Sequence, residues 1–319
     1  MKRFLTACLL AGATLTAAAQ AWPAKPIKLI VAYPPGGVSD NVARTLADKL
    51  SPALGVPVLI DNKAGASGVI GVDAVAKSAP DGYTFGFSAV SPLALSPHLG
   101  KVPFDPNKDV APVVSVMYSP VLLLATPATD AKDFKSLLDT ARTRPGTVRW
   151  STSGAASLGH IMLEQIKSAA RVDITHVPYK GGGQLITDAL GGQFEILSVN
   201  SSPAIVQQVR AGKLRALAVG APARMESLPQ VPTLAELGFA AANMTSTFGI
   251  FAPAGTPGAM VERFNAEVNK VLAMPDVRAK LVAADNVPTG GAAAAFGKQI
   301  AQESGNNARI IRQANIKAE

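Results

Sequence analysis

Two turns in this sequence combine glycines with neighbouring polar residues in a way that suits anion binding. One is Tyr33-Pro34-Pro35-Gly36-Gly37-Val38-Ser39-Asp40. The other is Tyr179-Lys180-Gly181-Gly182-Gly183, running on to Asp188. Each follows a short apolar run and precedes a segment with helical spacing. Glycines allow tight turning and bring backbone N–H groups close to a ligand. The first N–H groups of a helix have no partner within it, and the helix field there favours an anion. Two such turns facing each other across a cleft would make an anion site. Taken singly, each reads equally as a plain strand-to-helix connection.

Other junctions carry hydroxyls. Ser151 to His160 is dense in small and polar residues, among them Ser153, Gly154, Ala156 and Ser157. Ser88 and Ser91 lie at the exit of another apolar run, and Asn62 to Gly68 forms a further small-residue turn. In open α/β sheets ligands collect at the carboxyl ends of strands, where all these junctions fall.

Catalytic patterns are weaker. Gly-x-Ser-x-Gly, Gly-x-Gly-x-x-Gly, a Walker A loop and His-Glu-x-x-His are all absent from the sequence. His160 and Glu164 are four apart, which suits a helical pair better than half a metal site. Asp40 reads as a helix-start acid more readily than as a general base. Lys180 reads equally as a carboxylate partner and as a solvated loop lysine. No catalytic set, metal site or cofactor is therefore expected.

These residues need elements to position them. Ile27–Ala32, Val56–Ile60 and Tyr83–Phe87 read as strands. A helix carrying Val42, Leu46 and Leu50, with Ser39 or Asp40 as its cap, follows the first. The pattern repeats at Thr147–Thr152, Ile174–Tyr179, Phe194–Val199 and Leu214–Val219, with helical stripes between them. Thr233-Leu-Ala-Glu236 matches a capping box, and Thr256 or Pro257 opens a long helix. Repeated βα units predict an α/β fold with mostly parallel sheets. Pro-containing segments at Ser119-Pro120 and Ala252-Pro253 are candidate crossings between two lobes, a connection that permits closure over a cleft.

The N-terminus sets the compartment. Lys2 and Arg3 precede an apolar stretch from Phe4 to Ala19 and the small-x-small site Ala19-Gln20-Ala21. That order reads as a secretory signal peptide over residues 1–21, cleaved near Ala21, and hence export to the periplasm. The sole cysteine, Cys8, lies within it. A mature chain without cysteine has no disulfide and no thiolate nucleophile. The most apolar later stretch, Ala111 to Ala125, is too short and too interrupted by Pro112 and Pro120 to span a membrane. Loss of Lys2 and Arg3 lowers the formal charge from +8 to +6, and the remaining basic residues are scattered. Nucleic-acid binding needs a clustered footprint, so none is expected.

Taken in order, these motifs resemble the extracytoplasmic solute-binding proteins of the tripartite tricarboxylate transporter family, also called Bug receptors. The marks are Trp22-Pro-x-Lys-Pro-Ile27, Tyr33-Pro-Pro-Gly-Gly-x-Ser-Asp40, Asn62 to Gly68 and Pro80-Asp-Gly-Tyr-Thr84. His176 to Gly183, Leu214 to Val219, Val231 to Gly238 and Pro253-Ala-Gly-Thr-Pro257 continue them. The resemblance implies two Rossmann-like lobes of periplasmic binding protein type, joined by two crossing strands around a ligand cleft. It suggests residues 22–122 with 248–319 as lobe 1 and 123–247 as lobe 2. It implies a monomer that captures a small carboxylate, with waters bridging ligand and protein, and delivers it to a membrane permease of that transporter type. It puts Pro35 to Asp40 on one side of the ligand and Ser153 to Ser157, with His160, on the other. Lys180, Gly181 and Gly182 are placed at the cleft. Asn200 stands where the family commonly has an acid that receives an ammonium group, which favours a plain mono- or dicarboxylate over an amino acid. A sensing module for a signalling partner and an exported α/β hydrolase are the alternatives.

Overall fold

The computed structural model describes residues 22–179, 182–313 and 316. The first part of the chain runs β1 (Ile27–Val31), α1 (Val38–Leu54), β2 (Val58–Asn62), α2 (Val69–Ala76) and β3 (Thr84–Ala89). Two short helices, α3 (Ser91–Ala94) and α4 (Ser96–Leu99), then lead to β4 (Val110–Ser119). The middle part runs β5 (Val121–Ala125), α5 (Phe134–Thr143), β6 (Arg149–Thr152), α6 (Leu158–Ala170) and β7 (Thr175–Pro178). It continues with α7 (Gly182–Leu190), β8 (Ile196–Asn200), α8 (Pro203–Arg210) and β9 (Arg215–Gly220). The last part holds β10 (Ser246–Pro253), α9 (Gly258–Ala273), α10 (Pro275–Val282), β11 (Val287–Pro288) and α11 (Ala293–Gln313).

Among the described residues the strands form two sheets, ordered β11-β4-β10-β3-β1-β2 and β7-β6-β8-β5-β9. Both are mixed rather than mostly parallel. In the first sheet β1 pairs in parallel with β2 and β3, whereas β10 runs antiparallel to both β3 and β4. In the second, β6 is parallel to β7 and β8, and β5 is antiparallel to both β8 and β9. The βα units account for the parallel pairs; the antiparallel ones come from β5 beside β8 and β9, from β10 beside β3 and β4, and from β11 beside β4.

Helices cover both faces of each sheet, which explains the continuous apolar run the sequence shows before Ala125. In β5, Val121, Leu123 and Ala125 face the core under α5 and α6, while Leu122 and Leu124 face the core under α7 and α8. A strand covered on both sides has no polar face to present. In the first sheet, Phe85 of β3 stacks on Phe264 of α9 at 3.9 Å and 7°. Phe251 of β10 turns to the opposite face and meets Phe296 of α11.

The chain crosses from one sheet to the other at Ser119-Pro120-Val121, with Pro120 alone between β4 and β5. The return falls earlier than Ala252-Pro253. Ala242 still packs in the second lobe's core, Ser246 already pairs with Ser119, and Ala252 and Pro253 lie at the end of β10 within the first sheet.

Capping also departs from expectation. Helix α1 starts at Val38 with extended Gly37 as its cap, so neither Ser39 nor Asp40 caps it. Thr233 and Glu236 do exchange both capping-box hydrogen bonds, at 3.2 and 2.7 Å, but on a turn and not a helix.

Candidate functional site

A cavity of about 240 Å³ lies between the two sheets. Helices α1, α6 and α8 begin at its wall, as does the short α3 at Ser91. Gly37, Val38 and Ser39 bring the first turn of α1 from the first sheet. Ser157, Leu158 and Gly159 bring that of α6 from the second. Ser202, Ala204 and Ile205 bring that of α8.

The starts of α1, α6 and α8 are not equivalent. Helix α1 has no side-chain cap, so the N–H groups of Val38 and Ser39 keep no partner within the helix. In α6 the Ser157 hydroxyl takes one donor, the N–H of His160. In α8 Pro203 offers no N–H, and Ser202 takes that of Ile205. The strongest anion-binding potential therefore sits where α1 and α6 approach the cavity from opposite lobes.

Behind the α1 turn stands Asp40, 3 % exposed. Its Oδ2 accepts the Gly36 N–H at 2.9 Å and the Arg44 Nε–H at 2.9 Å, and its Oδ1 accepts Asn62 Nδ2 at 3.0 Å. Burial alone would raise its pKa. The Arg44, Gly36 and Asn62 donors outweigh burial and hold the carboxyl below the usual carboxylate range. Gly36, at φ 80°, occupies the left-handed region that favours glycine. Asp40 thus shapes the turn from behind, and it is not part of the cavity wall.

The remaining wall is hydroxyl-rich and uncharged among the described residues. Ser67, Ser91, Ser153, Ser198, Ser246 and the Tyr33 phenol contribute polar groups. Burial pushes the Tyr33 phenol up to about 12, against the Ser88 side chain and the Ala89 backbone, so it stays neutral. Val121, Val199, Ile186 and Phe248 supply apolar surface. Asn200 also lines the cavity, and its Nδ2 donates to the carbonyls of Ser119 and Pro120 at 3.3 and 3.4 Å.

Of the residues singled out from sequence, Pro35, Gly36, Gly37, Ser39, Ser91, Ser153, Ser157 and Asn200 meet at this cavity. Ser88, Gly154, Ala156 and His160 lie behind it. Ser88 is buried in β3. Gly154 and Ala156, both at positive φ, shape the loop into α6. The His160 ring is buried, receives the Ala156 N–H on Nδ1 at 3.4 Å and stacks on His176. Gly182 opens α7, while Lys180 and Gly181 fall outside the described residues. Sequence reasoning passed over Tyr33, Ser67, Ser198, Ser202 and Phe248. Ser67 carried a signal, since it sits in the small-residue turn from Asn62 to Gly68.

Two α/β bodies around a cavity, with helix starts converging on it from both, are the arrangement of a two-lobed solute-binding protein. The model of the tripartite tricarboxylate transporter family receptor (TctC) matches residues 42–316. The chain is 38% identical to the protein BugT of Bordetella pertussis over 264 residues, 82% of this chain and 81% of that one. An R. palustris protein solved with adipate is 32% identical, with a TM-score of 0.88 over 93% of this chain and all of the other. MatC from Rhodopseudomonas palustris, solved with malate, is 28% identical, with a TM-score of 0.85 over 91% of this chain and 100% of MatC. The chain belongs to the tripartite tricarboxylate transporter receptor family. It is a periplasmic receptor and not an enzyme.

Proposed function

We propose that this receptor captures a small carboxylate between the first turns of α1 and α6 and delivers it to a tripartite tricarboxylate-type permease. One observation carries the reading: two helix starts from different lobes line the same uncharged cavity. Backbone N–H groups there neutralise a carboxylate without a buried cation. The R. palustris relatives solved with adipate and with malate support the same ligand class. Serines around the cavity suit bridging waters as well as direct contacts. Asn200 carries no charge to balance an ammonium group, so a mono- or dicarboxylate is favoured over an amino acid. The bodies assigned to closure are residues 22–119 with 246–313, which carry the first sheet, and residues 121–242, which carry the second, acting as a monomer.

The test is a thermal-shift and calorimetric screen of purified protein against mono-, di- and amino-carboxylates. A ligand that binds the folded state alone, at about a hundred times its Kd, adds roughly 2.7 kcal/mol of stability. A one-to-one heat signal with a raised Tm and no turnover is expected. Silence across the whole set would remove the carboxylate reading.

A further inference from the structure

A hydrogen bond joins the two lobes at the cavity, away from the crossing at Pro120. Ser67 Oγ, in the first lobe, donates to the Ala155 carbonyl of the second at 2.6 Å. Ser67 is 5 % exposed, lines the cavity, and holds φ 54°. The Tyr33 hydroxyl donates to its carbonyl at 3.3 Å, which anchors Ser67 to another cavity residue of its own lobe.

The far side is shaped to receive it. Gly154, next to Ala155, has φ 149°, and a Cβ there would collide with Ser67 Oγ and approach the Tyr179 carbonyl at 3.1 Å. Only a residue without a side chain admits Ser67 this closely. Ala155 leads through Ala156, at φ 58°, into Ser157, the cap of α6. Whatever holds the Ala155 carbonyl therefore also holds the start of α6, whose first residues line the cavity together with those of α1. Other bonds between the lobes lie beside the crossing: Ser201 Oγ to Asp285 Oδ2 at 2.9 Å and Asn200 Nδ2 to the Ser119 carbonyl at 3.3 Å, where Ser201 N–H also meets the Pro120 carbonyl. They cannot replace a clamp at the α6 start.

We infer that Ser67 is a positioning residue for ligand retention: its bond to Ala155, admitted by Gly154, locks the α6 start over the bound carboxylate when the lobes are closed. The inference deepens the carboxylate reading and rests on it for the identity of what is retained. The clamp forms only in the closed state, so it acts on ligand departure more than on arrival. A net contribution of about 0.5–1.5 kcal/mol for one hydrogen bond corresponds to roughly a two- to tenfold change in dissociation rate.

Two measurements test it on the mature chain. Spin labels on cysteines placed at exposed Ala64 and Ala211 report the distance between lobes, without background from Cys8 in the leader. Stopped-flow competition with adipate and malate as probes reports rates. Ser67→Ala should thin the closed population and speed dissociation about two- to tenfold, a larger effect than any on association. Gly154→Ala should remove the closed population. A purely structural Ser67 would instead lower the ligand-free Tm and leave the dissociation rate alone. The inference is overturned if Ser67→Ala matches the parent in closed population and dissociation rate. It is also overturned if the parent shows no closed population with or without these acids. If neither acid binds but Ser67→Ala still shifts the ligand-free distances, the clamp stands and the choice of ligand class falls.

Discussion

The Asp40 carboxylate accepts the backbone N–H of Gly36, four residues earlier, at 2.9 Å, and so sets the turn that carries α1 to the cavity. The same oxygen takes Arg44 Nε–H, and the other takes Asn62 Nδ2. Three donors on one buried carboxylate make it a brace for the turn. Asp40→Ala strands Gly36, Arg44 and Asn62 together. Carboxylate affinity should fall at least tenfold, and stability by about 1–3 kcal/mol. Calorimetry and urea unfolding on the same preparation measure both. Unchanged affinity would show that the turn keeps its shape unaided.

Asn200 tests the preference against amino acids. Its Nδ2 faces the Ser119 and Pro120 carbonyls, so Asn200→Asp sets a carboxylate against two carbonyl oxygens beside the cavity. Carboxylate binding should weaken by tenfold or more, since a like charge close by costs more than the lost amide. α-Amino acids should lose less than plain acids. Equal losses for both in a calorimetric comparison would remove Asn200 as a discriminator.

His176 gives the protein a defined response to acid. Its ring stacks on His160 at 4.0 Å and 7°, and its Nε2 lies 2.8 Å from Thr152 Oγ1. Burial, with a smaller push from Lys167, lowers its pKa from 6.5 to about 4. The unfolded chain therefore binds a proton more readily than the folded one between those values. Stability from this residue is complete above about pH 6.5 and is lost as pH falls toward 4. His176→Gln should flatten the stability profile over that window, as followed by urea midpoints. A slope equal to the parent's would place the acid sensitivity elsewhere.

Gly159 marks how tightly α6 sits. A Cβ there would lie 2.5 Å from Ser198 Oγ and 3.3 Å from Thr152 Cγ2. Gly159→Ala should displace the helix start, cost about 1–3 kcal/mol through overpacking, and weaken carboxylate binding along with it. Guanidinium unfolding and calorimetry would show whether the two losses travel together.

Much of this site was legible where one local turn does the work. The glycines at Gly36 and Gly37 announce close backbone approach, and both reach the cavity. The serines at Ser153 and Ser157 announce a helix start, and they reach it too. Local spacing says nothing about strands that arrive from far along the chain. Phe248 meets the cavity through β10, paired with β3 and β4. Asp40 shows a subtler limit. Its place near a helix start was readable, but its direction was not. Starting the helix at Val38 puts Asp40 in the first turn, where it reaches back to Gly36 instead of outward. The mixed sheets were hidden for a related reason. An apolar run covered on both faces, such as β5, carries no period from which pairing direction could be read.

One residue of chain, Pro120, separates β4 in one sheet from β5 in the other. A connection that short leaves little slack for the lobes to slide apart, so the closure proposed above would be a rotation. Pro120 would then serve as its axle, with Ser67 and Ala155 meeting at the latch. A twist at the axle would part the latch, and the angle reached would set how large a guest could pass.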